Sequence, residues 1–562
     1  MKTGGTKRSG GQVLVDQLRI HGVDTAFCVP GESYLDVIDA LYDHRDAIRL
    51  IVSRQDGGAS FMAEAYGKCT GKPGICLVTR GPGATNASIG VHTAYQDSTP
   101  MILFVGQVGG DVVEREAFQE VDYRRMFGQM AKWVAQIDRA ERIPEYLSHA
   151  FHLAVSGRPG PVVLALPEDM LVSEVDVADA HPFTANRPAP FAGAMDRVRD
   201  MLEAAKQPLV LLGGGGWSRQ ACDDIRGFVE ANNLPVACTF RRQDLIDNRH
   251  PNYCGDVGIG INPLLAKRVA AADLIIAVGP RLGEMTTNTY TLFNIPDPVQ
   301  KMIHVHPGVE ELGRVYQADL MINSDMGEFA QLATRMPPVD SVPWRDWTHQ
   351  AHKDYLANIE PQASPGPVDM AEVMNEFRKQ LPADAIMTNG AGNYSGWVQR
   401  YWQYGGLRTQ VAPTNGAMGY GVPAGVAAKV ACPDRTVVSF SGDGCFLMNG
   451  QEIATAVQYD LKVLFVVINN GMYGTIRMHQ EREYPTRVHG TELRNPDFAA
   501  LARAYGMYGA VVQRTEEFAG VLAEALVQET SALIEIRIDP EAITTRGKLT
   551  AIRENALKRK GD

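Results

Sequence analysis

At 562 residues the chain is too long for one hydrophobic core, so several domains are expected. Its 45% hydrophobic and 21% charged residues exclude a disordered or collagen-like chain, and a formal charge of -11 argues against a nucleic-acid surface over the whole protein. Eight cysteines without CxxC or CxH spacing suggest neither a zinc site nor a disulfide framework, which leaves small-molecule chemistry as the favoured class.

The opening "MKTGGTKRSGG" is polar and glycine-rich, with no apolar segment behind it. No run of 18 apolar residues occurs anywhere, so no membrane partner and a cytoplasmic location are expected. From residue 11 to about 175, short apolar runs ("TAFCVPG", "GICLVTRG", "PMILFVGQ", "GPVVLALP") alternate with helical patterns. That alternation is the signature of parallel strands joined by helical crossovers.

"HPFTANRPAPFAG" (181–193) reads as a linker. A second α/β set follows, with strand ends in "PLVLLGGGGWS", "LPVACTF", "ADLIIAVGPRLG" and "KMIHVHPG". After a break near "RMPPVDSVPW" and "EPQASPGPVD", a third set runs from about 367 to 540 through "AIMTNGAGN", "RTVVSFSGDG", "KVLFVVINNG" and "ALIEIRI". The fold class is therefore α/β: three consecutive parallel-sheet domains at 1–180, 190–340 and 365–545, then a basic tail, 546–562. The first and third have similar lengths and patterns and read as divergent copies. The tail is weakly amphipathic and is expected to fray; the alternative is a flap over the active site.

The third set holds the most informative constellation. "TVVSFS" is a buried strand, "GDG" the turn leaving it, "GQEIATAVQ" a crossover helix and "KVLFVVI" the next strand. A right-handed crossover brings both strand ends to one sheet edge, where Asp443 and Asn470 converge. A carboxylate and an amide oxygen are hard ligands of the kind Mg²⁺ or Ca²⁺ takes, and two suffice if a diphosphate supplies others. The glycines admit phosphate to backbone N–H groups, and the following helix N-terminus adds partial positive charge. Taken alone, GDG would more often be a capped turn.

GDG, 24 residues, then NN resembles the thiamin diphosphate motif of the superfamily of pyruvate decarboxylase, pyruvate oxidase and acetolactate synthase. "RQDGGASFMAEAYGK" (54–68), "TRGPGATNASIGVHTAYQDSTPMILFVGQV" (79–108), "AFQE" (117–120), "GRPGPVVLAL" (157–166) and "NGAMGYGVPAGVAAKVA" (415–431) are similar in order and spacing to acetolactate synthase catalytic subunits. The resemblance covers essentially the whole chain. It implies a pyrimidine-binding, a central and a diphosphate-binding domain in that order, and a homodimer or homotetramer with active sites between subunits. The implied activity is decarboxylation of a 2-oxo acid with carboligation to a second carbonyl compound; a 2-hydroxyacyl-CoA lyase or decarboxylase is the enzymatic alternative.

The resemblance also assigns residues. Asp443, Asn470 and the main-chain carbonyl of Met472 would hold Mg²⁺, and Gly392, Asn393, Gly442, Gly444, Cys445 and Tyr473 would surround thiamin diphosphate. Met418 aligns with the apolar wedge that bends the cofactor, and Gly416 with the acceptor of its amino group. The glutamate that most members use to activate the pyrimidine is replaced by Asp56, one methylene or about 1.5 Å shorter. That change raises a third reading, a weakly active cofactor-binding homologue. Gln119, beside Phe118, matches a substrate-positioning residue, and His479 stands where the family has a pocket tryptophan. In the middle domain, "LLGGGGWS" is a weak dinucleotide cue and Arg281 resembles a flavin-domain arginine, so FAD and a CoA-type nucleotide both stand as ligands there.

Overall fold

A computed structural model describes residues 7–561. They form two compact units, with the boundary between Arg187 and Pro188, inside the proline-rich linker read from sequence. Each unit is built on parallel sheets.

In the first unit six parallel strands lie in the spatial order Arg49–Val52, Thr25–Cys28, Gly74–Val78, Met101–Gln107, Pro161–Pro167, Trp133–Gln136. Numbered along the chain this order is 2-1-3-4-6-5. The strands Gly74–Val78, Met101–Gln107 and Pro161–Pro167 are buried at every position, as expected where helices cover both sheet faces. The helices Asp56–Thr70 and Gly81–Asp97 pack closely together. Each buried Val, Leu or Ile in this core contributes roughly 1.5–3 kcal/mol.

The second unit contains two six-stranded parallel sheets. The middle one runs Tyr253–Val257, Val236–Thr239, Pro208–Leu212, Leu274–Val278, Lys301–His306, Leu320–Asn323, the order 3-2-1-4-5-6 of dinucleotide-binding folds. The last sheet runs Gln410–Val411, Ile386–Asn389, Val437–Gly442, Leu464–Asn469, Ala532–Arg537, Tyr508–Val512. Its order, 2-1-3-4-6-5, repeats that of the first unit, as the reading of two divergent copies requires.

Buried polar bonds tie the two sheets of the second unit together. Arg241 donates to Asn389 Oδ1 at 3.2 Å and to Ser395 Oγ at 2.9 Å, and the Gln243 main-chain N–H donates to Gln410 Oε1 at 2.8 Å. The composition break near residue 360 therefore separates two sheets inside one compact unit.

The basic tail departs from the expectation of fraying. Residues Leu549–Gly561 form a helix against the helix Gly474–Glu483. Leu549 and Ile552 join Met472, Met478 and Ile543 in a small apolar cluster. Arg553 donates to both oxygens of Glu481, at 2.8 and 2.6 Å, and Arg477 donates to Oε1 of the same carboxylate. Charge pairing and a short apolar seam thus dock a segment whose own amphipathicity is weak. No helix among the described residues is long and apolar enough to cross a membrane.

Candidate active site

A cavity of about 250 Å³ opens at the carboxyl edge of the last sheet. Three adjacent strands feed it: Ile386–Asn389 leads to the loop at 390–394, Val437–Gly442 to Asp443, and Leu464–Asn469 to Asn470. Asp443, Asn470 and Met472 all line it, as do Gly392, Asn393, Gly416, Met418, Gly442, Gly444, Cys445 and Tyr473. Every residue that the sequence assigned to the cofactor and the metal thus borders one space.

The Asp443 carboxylate is buried, and burial raises its pKa above the usual aspartate range. Hydrogen-bond donors oppose that effect. Oδ1 accepts the Gly444 N–H at 2.9 Å, while Oδ2 accepts the Gly471 N–H at 2.9 Å and Asn495 Nδ2 at 2.8 Å. Asn470 Oδ1 accepts the Met472 N–H at 3.3 Å. Gly471 sits at φ +68°, a left-handed turn that glycine adopts without strain and that sets Asn470 and Met472 around the same point.

The adjacent Asn469 plays a different part. Its Nδ2 donates to Glu535 and its Oδ1 accepts from Asn495. Asn495 therefore bridges Asp443 and Asn469 and was not singled out from sequence, since an Asn 52 residues beyond Asp443 carries no spacing signal.

The cradle is narrow by construction. A Cβ on Gly444 would lie 2.6 Å from the Tyr473 ring, so any side chain there would push Tyr473 out of place. Cys445 Sγ takes hydrogen bonds from Tyr394 Oη at 3.3 Å and from the Gly419 N–H at 3.2 Å, which anchors the turn carrying Met418. Asn393 joins three segments: its N–H donates to Thr475 Oγ1, its Oδ1 accepts from that hydroxyl, and its Nδ2 donates to the Ile543 carbonyl. His479 lies on the helix Gly474–Glu483 but is exposed and does not border the cavity, whereas Thr475 and Ile476 of the same helix do.

The remaining candidates belong to the first unit. Asp56 opens the helix Asp56–Thr70 and is buried, 8% exposed. Its Oδ2 accepts Asn86 Nδ2 at 3.2 Å, while Oδ1 is buried without a partner among the described residues, and burial pushes the carboxyl pKa up. Gln119 holds φ +66°, and its carbonyl accepts the Gly81 N–H at 3.0 Å. Asp56 and Gln119 are thus both tied to the first turns of the helix Gly81–Asp97. Beside Gln119, Phe118 is 72% exposed.

The donor set fits a hydrated divalent cation with a diphosphate. It offers hard oxygens, a buried carboxylate that positive charge would keep ionised, and glycine turns that admit phosphate.

Residues 8–126 match the thiamine pyrophosphate enzyme N-terminal TPP binding domain, 195–332 its central domain and 390–536 its C-terminal TPP binding domain. This sequence of domains defines a thiamin diphosphate-dependent enzyme, TPP being the same cofactor. The chain is 31% identical to the acetolactate synthase isozyme 2 large subunit of Escherichia coli, over 94% of this chain and 96% of that one. It is 33% identical to the acetolactate synthase large subunit of Parasynechococcus marenigrum, over 94% and 87%, and 31% identical to the probable acetolactate synthase large subunit of Methanocaldococcus jannaschii, over 97% and 95%. The chain belongs to the thiamin diphosphate-dependent enzyme family that includes the acetolactate synthase large subunits.

Proposed function

We propose that this enzyme decarboxylates a 2-oxo acid and joins the retained acyl unit to a second carbonyl compound, with thiamin diphosphate and Mg²⁺ bound in the cavity of the last sheet. The observation that carries the reading is the convergence of Asp443, Asn470 and Met472 on one glycine-lined cavity. Asp443, the Asn470 amide oxygen and the Met472 carbonyl would hold the cation, and the loops at 390–394 and 442–445 the diphosphate. When bound, thiamin diphosphate supplies the nucleophilic carbon and the electron sink that loss of CO₂ requires.

The chain's own residues shape that chemistry. Met418, between Gly416 and Gly419, presents an apolar side chain to the cavity as the wedge. Asp56, with one unpartnered oxygen and a raised carboxyl, is suited to accept and return a proton at Oδ1. Gln119 would orient the substrate carboxylate, whereas His479, exposed and away from the cavity, takes no part in this reading.

Assembly as a homodimer or homotetramer, in which one copy's Asp56 serves another copy's cavity, belongs to the same proposal, as does a cytoplasmic setting. The glycine run of the middle domain has a packing explanation: a Cβ on Gly214 would lie 2.0 Å from the Gly279 carbonyl, so two turns cross there. That edge, with Arg281, is where FAD or a CoA-type nucleotide would lie.

Incubation of the loaded enzyme with a panel of 2-oxo acids, followed by CO₂ release and mass analysis of the products, tests the reading. A ligated product with stoichiometric CO₂ is expected; no CO₂ from any 2-oxo acid contradicts it.

A further inference from the structure

The last sheet has a second cavity, of about 230 Å³, at the opposite edge. It is bordered by Val437 and Leu464, the first residues of the two strands that end at Asp443 and Asn470. Six residues of strand at about 3.3 Å each separate the two cavities by roughly 20 Å, so this cavity lies apart from the cofactor site.

Three cationic side chains, Lys429, Arg435 and Lys462, border it against one acid, Asp434. The Arg435 guanidinium is committed elsewhere, to the carbonyls of Asp384 and Arg408. The two ammonium groups are not paired with carboxylates among the described residues. Lys429 Nζ donates to the Pro433 and Arg435 carbonyls at 2.6 and 2.9 Å, and Lys462 Nζ to the Leu526 carbonyl at 2.9 Å. An ammonium has three donors, so each lysine keeps at least one.

Burial lowers the Lys429 pKa most, the like charge of Lys462 lowers it further and the nearby Asp434 carboxylate opposes both, so the two ammonium groups feel one another's charge. Thr436 and Thr530 add hydroxyls to the same lining. Two cations that border one cavity, both held on neutral carbonyls and each with a donor to spare, form a receptor for a compact oxyanion.

We infer that the cavity between Lys429 and Lys462 is a binding site for a small doubly charged oxyanion, of the phosphate or short-dicarboxylate class. The anion bridges the two ammonium groups and relieves their mutual repulsion.

Calorimetric titration of the thiamin diphosphate- and Mg²⁺-loaded protein with inorganic phosphate tests this, because the loaded cofactor occupies the other diphosphate-accepting space. Saturable binding at one site per chain is expected at constant ionic strength, with sodium chloride giving no such heat. Lys462→Gln, an exposed change, should weaken it about tenfold or more, and Lys429→Gln with Lys462→Gln should abolish it. Malonate run in parallel assigns the site to the phosphate or the dicarboxylate class, according to which ligand binds more tightly. Phosphate heat that chloride reproduces, or a titration unchanged in Lys462→Gln, overturns the inference.

Discussion

The first and last sheets share the strand order 2-1-3-4-6-5, and each presents a buried aspartate as the first residue of a helix: Asp56 in one, Asp443 in the other. Burial raises both carboxyls. Their solvation differs. Asp443 is met by three hydrogen-bond donors spread over both oxygens, an environment that stabilises the anion and suits a cation ligand. Among the described residues Asp56 has one side-chain donor, Asn86, and its buried Oδ1 has no partner, which suits a group that gains and loses a proton. The same strand order thus carries an aspartate at a helix start after the second strand in one sheet and after the third in the other, and the neighbouring donors differ between them.

The largest effect that would break this contrast is at Asp443. Asp443→Ala removes the proposed cation ligand and should reduce cofactor-dependent CO₂ release by more than the roughly 10–100-fold typical of losing an outer partner of a ligand; full activity in steady-state assays would remove the distinction between the two aspartates.

Asp56→Asn comes next. It should lower kcat by about 10²–10⁴ while leaving cofactor binding in place, as expected for loss of a proton-transfer group. Because burial raises the folded-state pKa of Asp56, its ionised form costs stability, and that cost appears as pH rises through the folded value. The Asn variant should therefore melt higher than the parent at pH 8 and equal to it at acidic pH, by calorimetry. Asp56→Glu sharpens the point: if the missing methylene limits the enzyme, the longer side chain raises kcat.

Asn495→Ala removes the bridge from Asp443 to Asn469 and should weaken cofactor binding about 10–100-fold, measured by equilibrium dialysis.

The smallest effect is at the docked tail. Pairing with Arg553 first, then the Thr486 N–H and Arg477, holds the Glu481 carboxyl down at about 2. A depressed folded-state pKa gives stability that is present above the unfolded value of about 4.3 and is lost as pH falls towards 2. Hydrogen-exchange protection in residues 549–561, taken relative to the intrinsic rate at each pH, should fall across that window, and Glu481→Gln should show the lower protection at neutral pH. Protection that ignores both pH and the substitution would refute docking through Glu481.

Much of this was legible in the sequence. The four inner strands of each sheet are recognisable as apolar runs such as "GICLV", "VVSFSG" and "LFVVIN", because helices cover both their faces. The two outer strands of every sheet escape that reading. Arg49–Val52, Trp133–Gln136 and Tyr508–Val512 are only partly buried, and Gln410–Val411 is two residues long, so no continuous apolar run marks them. The cavity-lining residues were legible through motif spacing. Asn86 and Asn495 were not, because hydrogen bonds that tune a carboxylate come from distant segments at no fixed offset. The tail helix was missed for a related reason: Arg553 meets Glu481 across 72 residues of sequence.

Binding of thiamin diphosphate with and without Mg²⁺, followed through the fluorescence of Trp397 in the cavity wall, probes the Asp443 site most directly. Saturable quenching that requires Mg²⁺ and vanishes in Asp443→Ala is the expected result. Quenching that is independent of the metal, or that survives intact in the Asp443 variant, would contradict the assignment of this cavity.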